Sequence, residues 1–412
     1  MDSLRHRPCA FHVTHWSDDP FSRGAYSTLL PGATPEHRLR LGEPLDSKLV
    51  IAGEACNPVA PAMTHGAWND GLRAAQVAIA SGAQRVLVIG AGFAGIAAAR
   101  HLHDAGIDCV VLEARDRVGG RVHSVALGPV RVDEGAAWLQ HFDDNPLAAF
   151  AQQLGLPLRE TDFSQPLAAA ADGPLPNIDA AWESLRVGID RRLPLADGVA
   201  RYLDDKDDAT RRATRFALEA NLILEACLPL ESLSVDALDE EGVGAGDRFL
   251  PQGYSQLAEH LAQGLDIRFN QTVTDIDWSG EQVRIGDESA DFCICTVPIG
   301  VLREIDFHPP LPAEQQDALD HLAMGRLEKV VLQFEERWWP VSPSGYLRWY
   351  DTPASFGEWL DLTDGVGTPT VAGLIAADAL ERVFTGRSDE EIATHACMAL
   401  QAWADAVAGK NL

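Results

Sequence analysis

Three glycines, Gly90, Gly92 and Gly95, follow an apolar run, RVLVIG at residues 85–90, and an acid, Glu113, closes the next apolar run, DCVVLEA. Such residues suit the holding of a nucleotide rather than attack on a bond. Gly90 makes a tight turn, Gly92 admits the backbone to a pyrophosphate, and Gly95 lets a helix settle on the strand. The N–H groups that open that helix then face phosphate oxygens. Glu113 lies 18 residues beyond Gly95, where a carboxylate can accept from ribose hydroxyls. The glycines alone are weak evidence; strand, turn, helix, strand and acid in order predict a dinucleotide fold.

The elements that must position these groups are legible. RVLVIG is short and rich in Val and Ile, which predicts a parallel strand buried on both faces. IAAARHLHDAG has helical composition and stops at Gly106. After Glu113 and Ala114 comes a second set, RDRVGGR, with Arg115, Gly119, Gly120 and Arg121. Paired glycines followed by arginine offer another backbone approach and a guanidinium for phosphate.

This extension resembles the R-x-G-G-R element of the FAD-dependent amine oxidase superfamily. The resemblance covers most of the chain. VDEGAAWLQHFDDNPL (132–147), with Gly135, Ala136, Ala137 and Trp138, is similar to the family's D-x-G-A-x-W segment. LPQGYSQLAEHLAQGLDIRFNQTVTDIDW (250–278) resembles its G-G-Y-x-x-L helix, strand and turn, which implies that the backbone of Val273 holds the adenine. ADFCICTVPIGVLREIDFHPPLP (290–312) resembles a further family run, and GRLEKVVLQFEERWWP (325–340) resembles the strand bearing a flavin-proximal lysine, here Lys329.

The family's last flavin-binding stretches stand at the front of this chain. They are HWSDDPFSRGAYSTLLPGA (15–33) and LVIAGEACNPVAPAMTHGAWNDGLRAAQ (49–76). DEEIATHACMALQAWADA (389–406) resembles the helix that leads into strand 10–16. The expectation is a circular permutant, with the family's termini joined through VAIASGAQ (77–84).

The resemblance implies roles. Gly53 and Glu54 contact the ribityl–phosphate part, and the helix start at Ala62, Met63 and Thr64 aims N–H groups at the ring's pyrimidine end. Lys329 assists dioxygen reduction through a held water. Trp16 and Tyr26 take the aromatic positions beside the flavin, with Met63 as the opposite wall. Ala25 stands where monoamine oxidases carry the cysteine that bonds to the cofactor, so FAD is expected to be non-covalent. A neutral amine in an apolar pocket would pass hydride to FAD, giving an imine that water hydrolyses, and dioxygen would be reduced to hydrogen peroxide.

Substrate identity is less legible. Trp138 occupies the place where amino-acid oxidases of the superfamily put an arginine, so a carboxylate-bearing substrate would be costly to bury. His141 follows Gln140 and is read as a loop residue or a substrate contact. Glu183, Asp204, Asp205, Asp207 and Asp208 are read as a solvated face, with attraction of a polyamine as the alternative. Beside an amine oxidase stand an amino-acid oxidase or monooxygenase, a desaturase or dehydrogenase of a secondary metabolite, and a non-catalytic flavin scaffold.

Bulk properties agree. With 33 basic and 61 acidic residues among 412, the net charge is −28, which disfavours nucleic acid and anionic membranes. The seven cysteines have no metal-ligand spacing and read as core thiols, with Cys293 and Cys295 on one strand face. No metal, signal peptide or membrane span is expected, and the location is expected to be cytoplasmic. Partners are an amine, dioxygen and a second copy in a homodimer. The fold class is α/β: a Rossmann-type FAD-binding domain and an α+β substrate domain with a mixed sheet plus helices. The expected parts are 1–35 (permuted segment), 36–145 (FAD-binding), 146–244 (helical), 245–300 (FAD-binding return) and 301–412 (sheet and helices).

Overall fold

The computed structural model describes residues 4–240 and 246–409. The expected boundary at 244/245 lies outside the described residues.

The apolar runs assemble as a five-stranded parallel sheet in the order Asp266–Arg268, Asp108–Leu112, Arg85–Ile89, Phe292–Cys295 and Leu49–Ile51. Alternate residues feed two cores. Leu87, Ile89, Cys293 and Cys295 pack to one side, and Val86, Val88, Phe292 and Ile294 to the other. Burial on both faces is why these strands read as continuous apolar runs rather than alternating ones. Helices Thr64–Ala80 and Phe93–Asp104 cover the second side. They approach closely because Gly71 carries no side chain: a Cβ there would lie 2.1 Å from the carbonyl oxygen of Ala94. The front segment thus enters the same sheet as the glycine turn, through strand Leu49–Ile51.

A second sheet has six strands, in the order Ala10–Val13, Leu327–Gln333, Thr370–Ala376, Glu358–Asp361, Tyr346–Tyr350 and Leu167–Ala170. Its pairs are antiparallel except the last, which is parallel, so the sheet is mixed. Helix Asp389–Val407 lays Leu400 and Trp403 on one face with Val330 and Leu332. Val331 points to the other face, and Lys329 shares that side by strand alternation. Six of the seven residues of strand Leu327–Gln333 are buried, because both faces are covered.

Two departures from the expected elements have physical reasons. The strand expected over 10–16 stops at Val13. The buried carboxylate of Glu328 accepts from Thr14 Oγ1 (2.6 Å), Trp16 N (2.9 Å) and Ser17 N (2.8 Å), which turns the chain away from its neighbour. The segment 146–244 is not wholly helical: Arg159–Thr161 and Leu167–Ala170 are strands whose partners lie elsewhere in the chain, a tertiary signal that local composition does not carry. Helices Ile178–Gly188, Leu195–Leu203 and Asp208–Leu218 follow, sharing a core of Leu185, Leu195, Val199 and Leu218. Glu183, Asp204, Asp205, Asp207 and Asp208 are exposed. The two described ends meet: Arg5 pairs with Asp405 at 2.8 Å, and Cys397 Sγ donates to the carbonyl of His6 at 3.2 Å. Among the described residues no helix is long and apolar enough to cross a membrane.

Candidate active site

The glycine turn has the backbone it needs. Gly90 sits at φ +95°, in the region that favours glycine, and a Cβ on Gly95 would lie 1.9 Å from the Gly90 carbonyl oxygen, so only glycine lets helix Phe93–Asp104 close on the turn. Gly92 differs: a Cβ there would meet nothing within 4 Å. Its open side faces a cavity of about 360 Å³. Gly119 N donates to the carbonyl of Ala91 at 2.8 Å, laying the second glycine pair beside the first turn. Glu113 accepts from Ala91 N at 2.6 Å and Arg115 N at 2.9 Å, which fixes its carboxylate at the end of its strand. This cradle, open where a side chain would fill it and rimmed by backbone and guanidinium donors, fits a dinucleotide diphosphate.

The same cavity is lined by Gly53, Glu54, Met63, Thr64, Gly90, Gly92, Glu113, Ala114, Arg115, Gly119, Gly120, Arg121, Gly135, Ala136, Ala137, Trp138 and Val273, and by Trp16, Tyr26 and Lys329. Of the cofactor residues expected there, Gly95 stays off the lining, in keeping with its packing role. His141 is off it too; its neighbour Gln140 is on it.

Glu54 is the hinge of a buried charge network. It accepts from Ser27 Oγ (2.6 Å), Ala62 N (3.1 Å) and Arg121 Nη1 (2.9 Å). Burial alone would raise its pKa, but Arg121, Ser27 and Arg38 together hold it below the usual value. Arg38, fully buried, reaches Ser27 Oγ at 2.6 Å and Glu240 at 2.8 Å. Arg115 is aimed by the front segment: Asp19 grips it at 2.6 and 2.9 Å and Ser22 Oγ at 3.0 Å.

Lys329 is buried, and its Nζ donates to the carbonyls of Asp133 and Gly135, both at 2.8 Å. Nζ also lies 5.7 Å from the Trp138 ring centroid. Burial lowers its pKa to about 8, against the pull of Asp133 and Glu134. Trp16 donates Nε1 to the carbonyl of Glu134 at 3.1 Å, so the lysine and the tryptophan are held by one short stretch, residues 133–135. A Cβ on Gly135 would lie 1.8 Å from the Arg121 carbonyl, which locks that stretch against the second glycine pair. Met63 precedes helix Thr64–Ala80, whose first residue meets Tyr254 OH at 2.9 Å. Tyr26 shares a contact of 3.0 Å with Cys227 Sγ.

Part of the lining was given no role from the sequence, although Thr296 falls within the family run at 290–312. Thr296 Oγ1 donates to Ile89 O at 2.7 Å; its place at the carboxyl end of a parallel strand was the available signal. Glu225 and Glu358 also line the cavity, on elements remote in sequence. Glu358 accepts from Arg348 Nη1 at 3.1 Å and Tyr346 OH at 3.2 Å. Burial, and then the charge of Glu358, push Glu225 up to about 8, with Arg348 opposing. Two carboxyls facing one guanidinium leave this part of the cavity suited to a cation.

A cradle for a dinucleotide continuous with a cation-seeking pocket defines a flavoenzyme of amines, and the chain belongs to the flavin containing amine oxidoreductases, whose family model matches residues 3–79 and 93–410. It is an FAD-dependent amine oxidase. Among its relatives, Polyamine oxidase 4 of Oryza sativa subsp. japonica is 32% identical over 339 residues, covering 72% of this chain and 68% of that protein. Polyamine oxidase 2 of Arabidopsis thaliana is 32% identical over 354 residues, 77% and 71% of the two chains. Lysine-specific histone demethylase 1 homolog 1 of Oryza sativa subsp. japonica is 32% identical over 295 residues, but only 34% of that protein is covered. The solved structure of putrescine oxidase bound to putrescine superposes with a TM-score of 0.57 at 23% identity, covering 78% of this chain and 81% of that one.

Proposed function

We propose that the protein oxidises a small diamine or polyamine with non-covalently held FAD, passing the electrons to dioxygen and releasing hydrogen peroxide. The observation that carries this reading is continuity: one cavity joins the glycine cradle, buried Lys329 and the pocket of Glu225 and Glu358. The polyamine oxidase and putrescine oxidase relatives support the substrate class. Gly90, Gly92, Gly119, Gly120 and Arg121 hold the diphosphate, Glu113 the ribose, Val273 the adenine side, and the helix start at Met63 and Thr64 the pyrimidine end. When bound, FAD supplies the two-electron acceptor for the C–H bond beside the nitrogen.

The protein's own residues do the rest. Tyr26, Trp16, Met63 and Leu374 exclude water, which favours the neutral reacting amine. Glu225 and Glu358 hold the far, charged amine and so set which carbon faces the reacting end. Lys329 keeps a positive charge where dioxygen is reduced. With Ala25 in place of a cysteine, no thiol at that position attaches the cofactor. Arg348 is engaged by Glu358, which disfavours an amino-acid carboxylate as the ligand.

Glu225→Gln tests the pocket. Above about pH 8, where Glu225 is ionised, the KM for a diamine should rise about tenfold, the loss of one charge-assisted contact, while the KM for a monoamine of equal length holds. Because the folded Glu225 is raised from 4.5 to about 8, the folded state binds a proton that the unfolded chain has released. Its stabilising contribution is therefore full at acid pH and is lost as pH rises to about 8. The thermal midpoint of the parent should fall across that window more steeply than that of the variant. Equal KM changes for both amines would refute the assignment.

We further infer that the chain order is a circular permutation, with residues 1–35 and 301–412 on the substrate side and 36–145 and 245–300 on the FAD side. The break of the family match between residues 79 and 93, and the meeting of the described ends, support it. A rearranged gene that opens the chain in the exposed Ser81–Gly82 turn and joins the present ends through a short glycine–serine linker should yield an active yellow enzyme. Insoluble product at every linker length would count against it.

A further inference from the structure

We propose that His37, Asp317 and His321 form a zinc site outside the active cavity, clipping the short helix Pro35–Leu41 to the helix Ala313–Asp320. Each residue offers one ligand atom, and these atoms lie within 4.8 Å of one another. Two imidazoles and a carboxylate are a donor set that suits zinc, with the fourth position left to water.

Both rings are oriented by their neighbours. His321 Nδ1 lies 2.7 Å from the carbonyl of Asp317. A carbonyl only accepts, so Nδ1, which also lies 3.5 Å from Asp317 Oδ1, carries the hydrogen and leaves Nε2 the lone pair for the metal. His37 Nδ1 is held by Thr34, at 3.0 Å from its N, 3.3 Å from Oγ1 and 3.2 Å from O. Its Nε2 stands 3.9 Å from Asp317 Oδ2. On metal binding the Nδ1 of His37 turns from accepting the Thr34 N–H to donating to Thr34 oxygen, which frees Nε2 without net loss of a proton. The rings stack with centroids 4.3 Å apart and planes 28° apart.

Zinc bonds of about 2.0–2.2 Å put tetrahedral donors about 3.3–3.6 Å apart. The donors must therefore close by up to about 1.5 Å. A carboxylate 54% exposed and an imidazole 32% exposed have the freedom to do so. None of the three lines the active cavity, so the metal acts on stability and not on turnover. The clipped helix carries Arg38, which reaches the network around Glu54.

The test uses the FAD-loaded protein in a Cys9→Ser background, which removes an exposed thiol, after chelator treatment and dialysis at neutral pH. Zinc chloride titrated calorimetrically should bind at one site per chain and raise the thermal midpoint by about 2–5 °C at saturation. Asp317→Asn and His321→Gln should each weaken binding tenfold or more and abolish the thermal shift, with metal-free amine turnover unchanged. Failure of the parent to take up zinc overturns the proposal. So does undiminished binding in both variants, which would place the metal on other histidines.

Discussion

Replacing Gly92 by valine should give a folded protein that no longer holds FAD. A Cβ on Gly92 meets no protein atom within 4 Å, so the side chain starts without a clash against the scaffold and projects into the space where the diphosphate belongs. Cofactor affinity should fall about a hundredfold or more, at least about 2.7 kcal/mol, with the circular dichroism and thermal midpoint of the apo form unchanged. The contrast is Gly95→Ala, three residues away in sequence. There the added carbon would lie 1.9 Å from the Gly90 carbonyl oxygen, backbone against backbone. Helix and strand must separate, at a cost of about 1–3 kcal/mol, and the midpoint should drop even without FAD. Equal FAD affinity in the parent and Gly92→Val would place the nucleotide elsewhere.

Lys329→Met should slow reaction with dioxygen by about a hundredfold, the usual cost of removing one preorganised electrostatic group. Reduction of the bound flavin by amine should slow far less, since the cation serves the charge that develops on oxygen. Methionine fills the volume but leaves the Asp133 and Gly135 carbonyls without their 2.8 Å donor, so some stability is lost as well. The pH dependence separates the two effects. With its pKa lowered to about 8, the lysine gives up its charge as pH rises through that value. The oxygen limb of the parent should therefore decline above about pH 8, whereas the variant should be flat. A stopped-flow comparison of the two half-reactions checks this, and an undiminished oxygen limb in the variant would remove Lys329 from that role.

What the chain reveals by inspection follows the range of the interactions involved. The glycine cradle is built from residues 90–121, within one strand–turn–helix unit and its extension, so spacing alone exposes it. Lys329 was placed by motif, yet its surroundings were not, because its burial comes from residues 133–138, far along the chain, on the face opposite helix Asp389–Val407. The turn at Trp16 was missed for the same reason: Glu328, more than three hundred residues away, makes it. Arg115 was read as a phosphate ligand, and its partner Asp19 became visible only when the front segment folded over the cradle. Glu225 and Glu358 carry no local mark at all. Each is an ordinary acid in an ordinary element until the tertiary fold brings both to one cavity, where burial raises the pKa of each, the charge of Glu358 raises that of Glu225 further, and an incoming cation would relieve that repulsion.

Anaerobic titration of the purified protein with a diamine, followed by absorbance, is the most direct measurement. The protein should be yellow as isolated, should bleach as the diamine is added, and should regain its colour on admission of air with one peroxide formed per amine oxidised. Protein that is colourless and takes up no FAD on reconstitution, or bound flavin that no amine reduces, would contradict it.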